Sequence, residues 1–146
     1  AEWNFAADPE AADIVARAGF DLTVVPFDVG ARARFRQSDA DALRAAGGPL
    51  HDLLAGQAER AFKRWETEEL HGETWPFDAL AVAMLIEPSL VTTERMALSI
   101  LTAEPFAGLS IFEPTGPDKP ANAEVVIDAD IERFERMLLD YLVTPR

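Results

Sequence analysis

The stretch from Asp8 to Phe27 constrains the fold more than any other. Asp8-Pro9-Glu10 sets a side-chain acceptor at an N-cap, a proline at the first helical position and an acid in the first turn, and each favours a helix start. Ala11, Ile14, Val15 and Ala18 then fall on one apolar face before Gly19, so the spacing predicts a helix over residues 9–18. Asp21-Leu22-Thr23-Val24-Val25-Pro26-Phe27 follows at once, β-branched and nearly continuous in apolar character, as expected of a strand buried on both faces. A helix leading straight into such a strand is the second half of a βαβ unit, and it places the chain in the α/β class.

The remaining sequence repeats that alternation. A second helix is expected from Ser38 or Asp39 to Ala46, closed by Gly47-Gly48. Pro49 opens a longer one through about Leu70, with Leu50, Leu53, Leu54, Ala58, Ala61, Phe62 and Trp65 at helical spacing. Gly72 to Pro76 is a break, and Asp78 is placed to cap the apolar helix beside it, which Pro88 stops. Strands are expected from Thr93 to Thr102, Gly108 to Phe112 and Asn122 to Ile127, with Glu113 to Pro120 as a surface loop. Asp128 or Asp130 then caps a final amphipathic helix carrying Ile131, Phe134, Leu138, Leu139 and Leu142. No linker separates domains, so residues 1–146 read as part of one domain.

Composition narrows the partners. With 13 basic against 26 acidic residues the formal charge is -13, a field that repels polyanions and anionic membrane surfaces, so no nucleic acid and no membrane are expected as partners. The longest strongly apolar stretch, Ala79 to Ile86, falls far short of the roughly 20 residues of a spanning helix. The absence of cysteine excludes a disulfide framework and thiolate metal sites. No signal-peptide pattern opens the chain, which makes the cytoplasm the expected compartment. Ala1 stands where an initiator methionine would, and no strand leads into it, so a fragment of a longer protein is expected.

Two constellations can carry chemistry. In Glu2-Trp3-Asn4 an acid and an amide stand two residues apart, and an extended backbone would turn both to one face, where they can grip vicinal hydroxyls. The plainer reading is an exposed tail. In Trp75-Pro76-Phe77-Asp78 the carboxylate stands at the mouth of an apolar helix, either as its cap or directed outward to a cation or a sugar hydroxyl. His51 and His71 have no recurrent partner spacing and read as surface residues, and Glu66-Thr67-Glu68-Glu69 reads as a solvated helix face. There is no serine elbow, zinc motif or glycine-rich phosphate loop.

Taken in order, these segments resemble the C-terminal half of the nucleoside hydrolases, which cleave the N-glycosidic bond of ribonucleosides. The resemblance rests on Ala1-Glu2-Trp3-Asn4, Asp8-Pro9-Glu10-Ala11-Ala12, the strand ending Val25-Pro26-Phe27-Asp28-Val29, Trp75 to Val82 with Glu87-Pro88, and Asn122 to Asp130 before the last helix. It implies the C-terminal portion of a Rossmann-like mixed-sheet domain, with the sheet shared between two halves. It implies that Glu2 and Asn4 bind ribose hydroxyls, and that Asp78 binds both a ribose hydroxyl and a Ca2+ ion whose other ligands lie in an aspartate-rich motif not present here. In pyrimidine-accepting and broad-specificity members a histidine precedes the metal aspartate and protonates the leaving base. Here that position is Phe77, and a phenyl ring cannot donate the proton. Some purine-preferring relatives stack the base between aromatic rings, which gives Trp65, Trp75 and Phe77 a substrate-binding role, against core or rim packing as the plainer one.

The expected protein is therefore a ribonucleoside N-glycosidase, with a purine ribonucleoside as partner and with this chain inactive alone. The alternative is a degenerate family member that serves as a binding or assembly module. An uncovered sheet edge would also predict self-association into a homo-oligomer.

Overall fold

The computed structural model describes residues 1–65 and 71–144. The chain divides into two compact units, Ala1–Phe27 with Thr92–Asp128, and Asp28–Val91 with Ala129–Arg146.

The first unit is built on a four-stranded mixed sheet of order β1-β6-β4-β5: β1 (Thr23–Val24), β4 (Val91–Ile100), β5 (Ser110–Pro114) and β6 (Ala123–Ala129). β1 runs parallel to β6 with Val24 opposite Val125, and β5 runs antiparallel to β4 with Leu98 opposite Phe112. α1 (Trp3–Ala7) and α2 (Pro9–Arg17) precede the first strand, and the chain turns between them at Asp8, which caps α2 by accepting from the Ala11 N–H at 3.0 Å. Gly19 follows at a φ of 75°, in the left-handed region that glycine enters without steric cost.

The packing of α2 and the length of β1 differ from what the sequence pattern predicts. The face of α2 that carries Ala11, Ile14, Val15 and Ala18 is the exposed one, and Ala12 and Ala16 pack instead against Leu98, Ile100, Ala123 and Val125. Two alanines four residues apart let the helix lie close to the strands, which larger side chains would prevent. The strand expected over residues 21–27 shrinks to two residues at the sheet edge, with Thr23 exposed. Pro26 has no N–H to give to a ladder, and Phe27 already begins a short helix, α3 (Phe27–Gly30).

Asn122 ties this unit together. Its Oδ1 accepts from the Leu98 N–H at 2.6 Å, while Nδ2 donates to the carbonyls of Leu98 at 2.9 Å and Ala16 at 3.0 Å. One side-chain amide thus continues the β4 ladder and holds the last turn of α2 against it.

The second unit is mainly helical: α4 (Gln37–Ala46), α5 (Pro49–Arg64), α6 (Phe77–Ile86), a 3-10 turn (Pro88–Leu90) and α7 (Ile131–Val143). Gly47 and Gly48, at φ of 75° and 99°, separate α4 from α5, as the sequence indicates. The expected continuation of α5 over residues 66–70 lies outside the described residues. Phe35, Ala40, Leu43, Ala55 and Phe62 form the core, with Leu54, Ala58, Leu138 and Leu142 against it, while Leu50 and Leu53 of the expected stripe are exposed. Asp130 caps α7 by accepting from the Arg133 N–H at 3.1 Å. His51 is a tie between helices, its Nδ1 2.6 Å from the Gly47 carbonyl and its Nε2 3.0 Å from that of Leu142.

Candidate functional site

The Glu2-Trp3-Asn4 segment is not extended. Glu2 sits in the extended region at the N-cap of α1, where Oε2 accepts from the backbone N–H groups of Asn4 at 2.9 Å and Phe5 at 3.2 Å. Oε1 accepts from Asn4 Nδ2 at 3.2 Å, so the acid and the amide do meet on one side, through the turn of a helix. The carboxylate answers donors that the first helical turn leaves unpaired, which an extended backbone would not offer it. Three of its roughly four acceptor positions are used, and among the described residues the Asn4 side chain bonds to Glu2 through one of its N–H groups. Trp3 is 82% exposed. Behind α1, Gly108 comes so close that a Cβ would lie 2.5 Å from the Cα of Ala6, and its φ is 82°.

The Trp75-Phe77-Asp78 segment is placed by long-range packing. β2 (Phe35–Arg36) pairs antiparallel with β3 (Glu73–Thr74), and this two-stranded ladder delivers the chain to Trp75. The rings of Trp75 and Phe77 stack with centroids 5.6 Å apart and planes 20° apart, within the range of a favourable offset pair. Both residues are half-buried. Gly30, the last residue of α3, backs Phe77, since a Cβ there would lie 3.3 Å from the Cβ of Phe77. Trp65, at the C-cap of α5, is half exposed beneath the Arg64 guanidinium, 5.5 Å from its ring centroid.

Asp78 is not the cap of α6, which is a correction to the sequence reading. Pro76 holds the N-cap position and no side chain bonds there, while Asp78 stands in the first turn, exposed. A carboxylate in that turn is favoured by the helix dipole without being tied down, so it remains available to a ligand.

The charged residues behind this segment escaped the sequence reading. Glu73 meets Arg34 Nε at 3.3 Å and Arg36 Nε at 3.5 Å. Glu135 of α7 accepts from the Arg34 backbone N–H at 2.6 Å and pairs with Arg36 Nη1 at 2.8 Å. The Glu135 hydrogen bond is the main reason that the Arg36 guanidinium is raised above its ordinary pKa. Arg34 also donates to the carbonyls of Ala31 and Ala33, and its guanidinium carbon lies 5.9 Å from the Trp75 ring centroid. The signal was present: in Ala31-Arg32-Ala33-Arg34-Phe35-Arg36 arginine alternates with apolar residues at the strand period, and Ala33 and Phe35 are buried.

Calcium binds six to eight oxygens. Among the described residues no group of three or more His, Asp or Glu side chains converges, so those residues do not by themselves complete a calcium shell.

A helix-and-sheet scaffold of this kind is an α/β protein, with a polar pair at the start of α1 in the first unit and an aromatic pair beside the Asp78 carboxylate in the second. Its sequence matches the family described as inosine-uridine preferring nucleoside hydrolase over residues 1–136, and the chain belongs to that family. It is 31% identical over 152 residues to the pyrimidine-specific ribonucleoside hydrolase RihA of Escherichia coli O9:H4, covering 97% of this chain and 47% of that protein. Its fold matches the purine-preferring ribonucleoside hydrolase from Gardnerella vaginalis, with a TM-score of 0.89, 27% identity, and coverage of 97% of this chain and 46% of that one. A plant nucleoside hydrolase, PpNRh1, shares the fold with a TM-score of 0.87 and 24% identity over 99% of this chain and 48% of that one. The chain spans about half the length of the curated relatives it matches.

Proposed function

We propose that this chain is the C-terminal part of one nucleoside hydrolase domain, and that the intact protein hydrolyses ribonucleosides with a preference for purines. The reaction breaks the bond between C1′ of ribose and the base nitrogen. Water supplies the hydroxyl to C1′ and a proton to the departing base. Glu2 and Asn4 are assigned to ribose hydroxyls, Asp78 to a ribose hydroxyl and to one coordination position of Ca2+, and Trp75 and Phe77 to the base.

The observation that carries the base preference is the stacked Trp75–Phe77 pair immediately before Asp78. A flat apolar pair favours a two-ring base by dispersion and stacking, and aromatic pairs contribute about 0.5–1.5 kcal/mol beyond burial. Phe77 offers no proton, so discrimination by general-acid help to a poor leaving group such as uracil is unavailable at this position. The resemblance to a purine-preferring structure supports this reading, whereas the name of the Escherichia coli relative points to pyrimidines.

The test is kcat/KM of the full-length protein and of Phe77→His on inosine and uridine. Expected is a preference for inosine that the substitution lowers, with uridine no better than before. Faster uridine turnover in Phe77→His would show instead that the missing acid is what limits the enzyme. Binding of nucleosides without hydrolysis would support a non-catalytic family member. Self-association of this chain in isolation is proposed as well, because among the described residues β1 pairs on one side only; a single monomeric species of the isolated chain in sedimentation at high concentration would refute it.

A further inference from the structure

We propose that Arg34 is a positioning residue for base recognition: its guanidinium holds the Trp75–Phe77 stack in the orientation that receives the purine. The proposal rests on the base-stacking role given to that pair above. Arg34 is anchored independently of the rings. Glu73 fixes its Nε at 3.3 Å, the carbonyls of Ala31 and Ala33 take its Nη1, and its backbone N–H is held by Glu135. From that anchor the guanidinium lies over the Trp75 ring at 5.9 Å, a distance at which a cation is attracted to the ring face.

The next ring is Phe77, 5.6 Å from Trp75, and Gly30 packs against it closely enough that a Cβ there would lie 3.3 Å from the Phe77 Cβ. Arg34, Trp75, Phe77 and Gly30 therefore form a packed series in which each member limits the movement of the next. The charged end is tied to the β2–β3 ladder through the cross-strand pair Arg36–Glu73. A planar guanidinium suits this position because it presents a delocalised charge to a ring face while its edge bonds to Glu73, which a lysine ammonium cannot do in both respects. Asp78 follows Phe77 directly, so the same series limits where the carboxylate's helix begins.

The test uses the full-length protein with Trp3→Phe and Trp65→Phe as background, leaving Trp75 as the tryptophan of this chain. Arg34→Met keeps the aliphatic stem and removes the cation; Arg34→Lys keeps the charge and removes the plane. Inosine and uridine are compared for KM, kcat and binding by fluorescence quenching, with the melting temperature alongside. Expected for Arg34→Met is a rise of about 3- to 10-fold in KM and Kd for inosine, the scale of a lost stacking contact, with little change for uridine or in kcat. Arg34→Lys should recover the melting temperature but not the full preference for inosine.

Equal losses on both substrates that follow the melting temperature would overturn the proposal and leave Arg34 a structural residue. If Phe77→Ala lowers the inosine preference and neither Arg34 variant does, Arg34 is not the positioning group, although the stack still reads the base. If Phe77→Ala leaves the preference unchanged, the stacking reading fails first and the proposal with it. Quenching by inosine reports binding whether or not turnover occurs, so an inactive protein still decides between these results.

Discussion

The two regions assigned to substrate are held in different ways. Glu2 and Asn4 are organised by their own turn, through bonds between residues two and three apart. Trp75, Phe77 and Asp78 owe their placement to distant residues: Gly30, Arg34 and, through the β2–β3 ladder, Phe35 and Arg36. A polar grip can be locally built because capping needs only the chain ends of one helix. The aromatic pair is oriented by packing that comes from positions far from it in the sequence.

The largest effect should come from Asp78→Asn in the full-length protein. An exposed carboxylate with no capping role can change without loss of fold, so stability should shift by less than about 0.5 kcal/mol. Activity should fall by about a hundredfold or more, the scale of a lost charge at a reacting centre. A large drop in melting temperature would mean that Asp78 is structural after all and would erase the contrast between a fixed scaffold and a free carboxylate.

Gly108→Ala tests how local the first region is. The left-handed backbone alone costs about 1–2 kcal/mol for alanine, and overpacking against Ala6 about 1–3 kcal/mol more. Denaturant titration should show that loss, and ribose-dependent binding should weaken as α1 is pushed aside. Unchanged stability would show that α1 yields freely and that the cap alone organises Glu2 and Asn4.

Gly30→Ala is the matching change in the second region and a gentler one. Its 3.3 Å contact with Phe77 asks for a shift of a few tenths of an ångström. The lower entropy of the unfolded chain offsets that by about 0.4–1 kcal/mol, so melting should change little. KM for inosine should rise by about threefold, because small misplacements of positioned groups are felt in binding. Uridine unaffected and inosine weakened would sharpen the contrast; no change in either would show that Phe77 is free to move.

The smallest effect is on pH. Glu87 accepts from Ser89 Oγ at 2.6 Å and pairs with Arg133 at 3.1 Å, and these, the Ser89 bond first, hold its carboxyl below the usual carboxylate range. A depressed folded pKa contributes stability that is fully present above the unfolded pKa and is lost as pH falls through the folded one. Acid titration of stability should therefore show a slightly smaller loss in Glu87→Gln than in the parent. The group is exposed and screened, so a large difference would mean that this clasp holds far more of the second unit than its geometry indicates.

Much of the architecture was legible because helix ends are written in adjacent residues. Asp8 with Pro9, Gly47 with Gly48, and Asp130 stand where their caps are, since each bond spans three or four positions. Glu2 was misjudged because glutamate is not among the favoured capping residues, although its carboxylate reaches the same donors. The aromatic and acidic residues near Asp78 were found as a set, but their support was not, since Arg34 and Glu73 are 39 positions apart.

By itself, then, the sequence determined the α/β class, the order of most elements, the ends of α2 and α4, the start of α7, and the family, all of which rest on local bonds or on motifs in fixed order. Tertiary structure alone decided that Ala12 and Ala16 rather than Ile14 and Val15 face the sheet, that β1 lies at an edge, and that Arg34 lies over Trp75. Periodicity names the faces of a helix or strand, but which face is buried depends on how closely the neighbouring element can approach. That distance is set by side chains far away in the sequence.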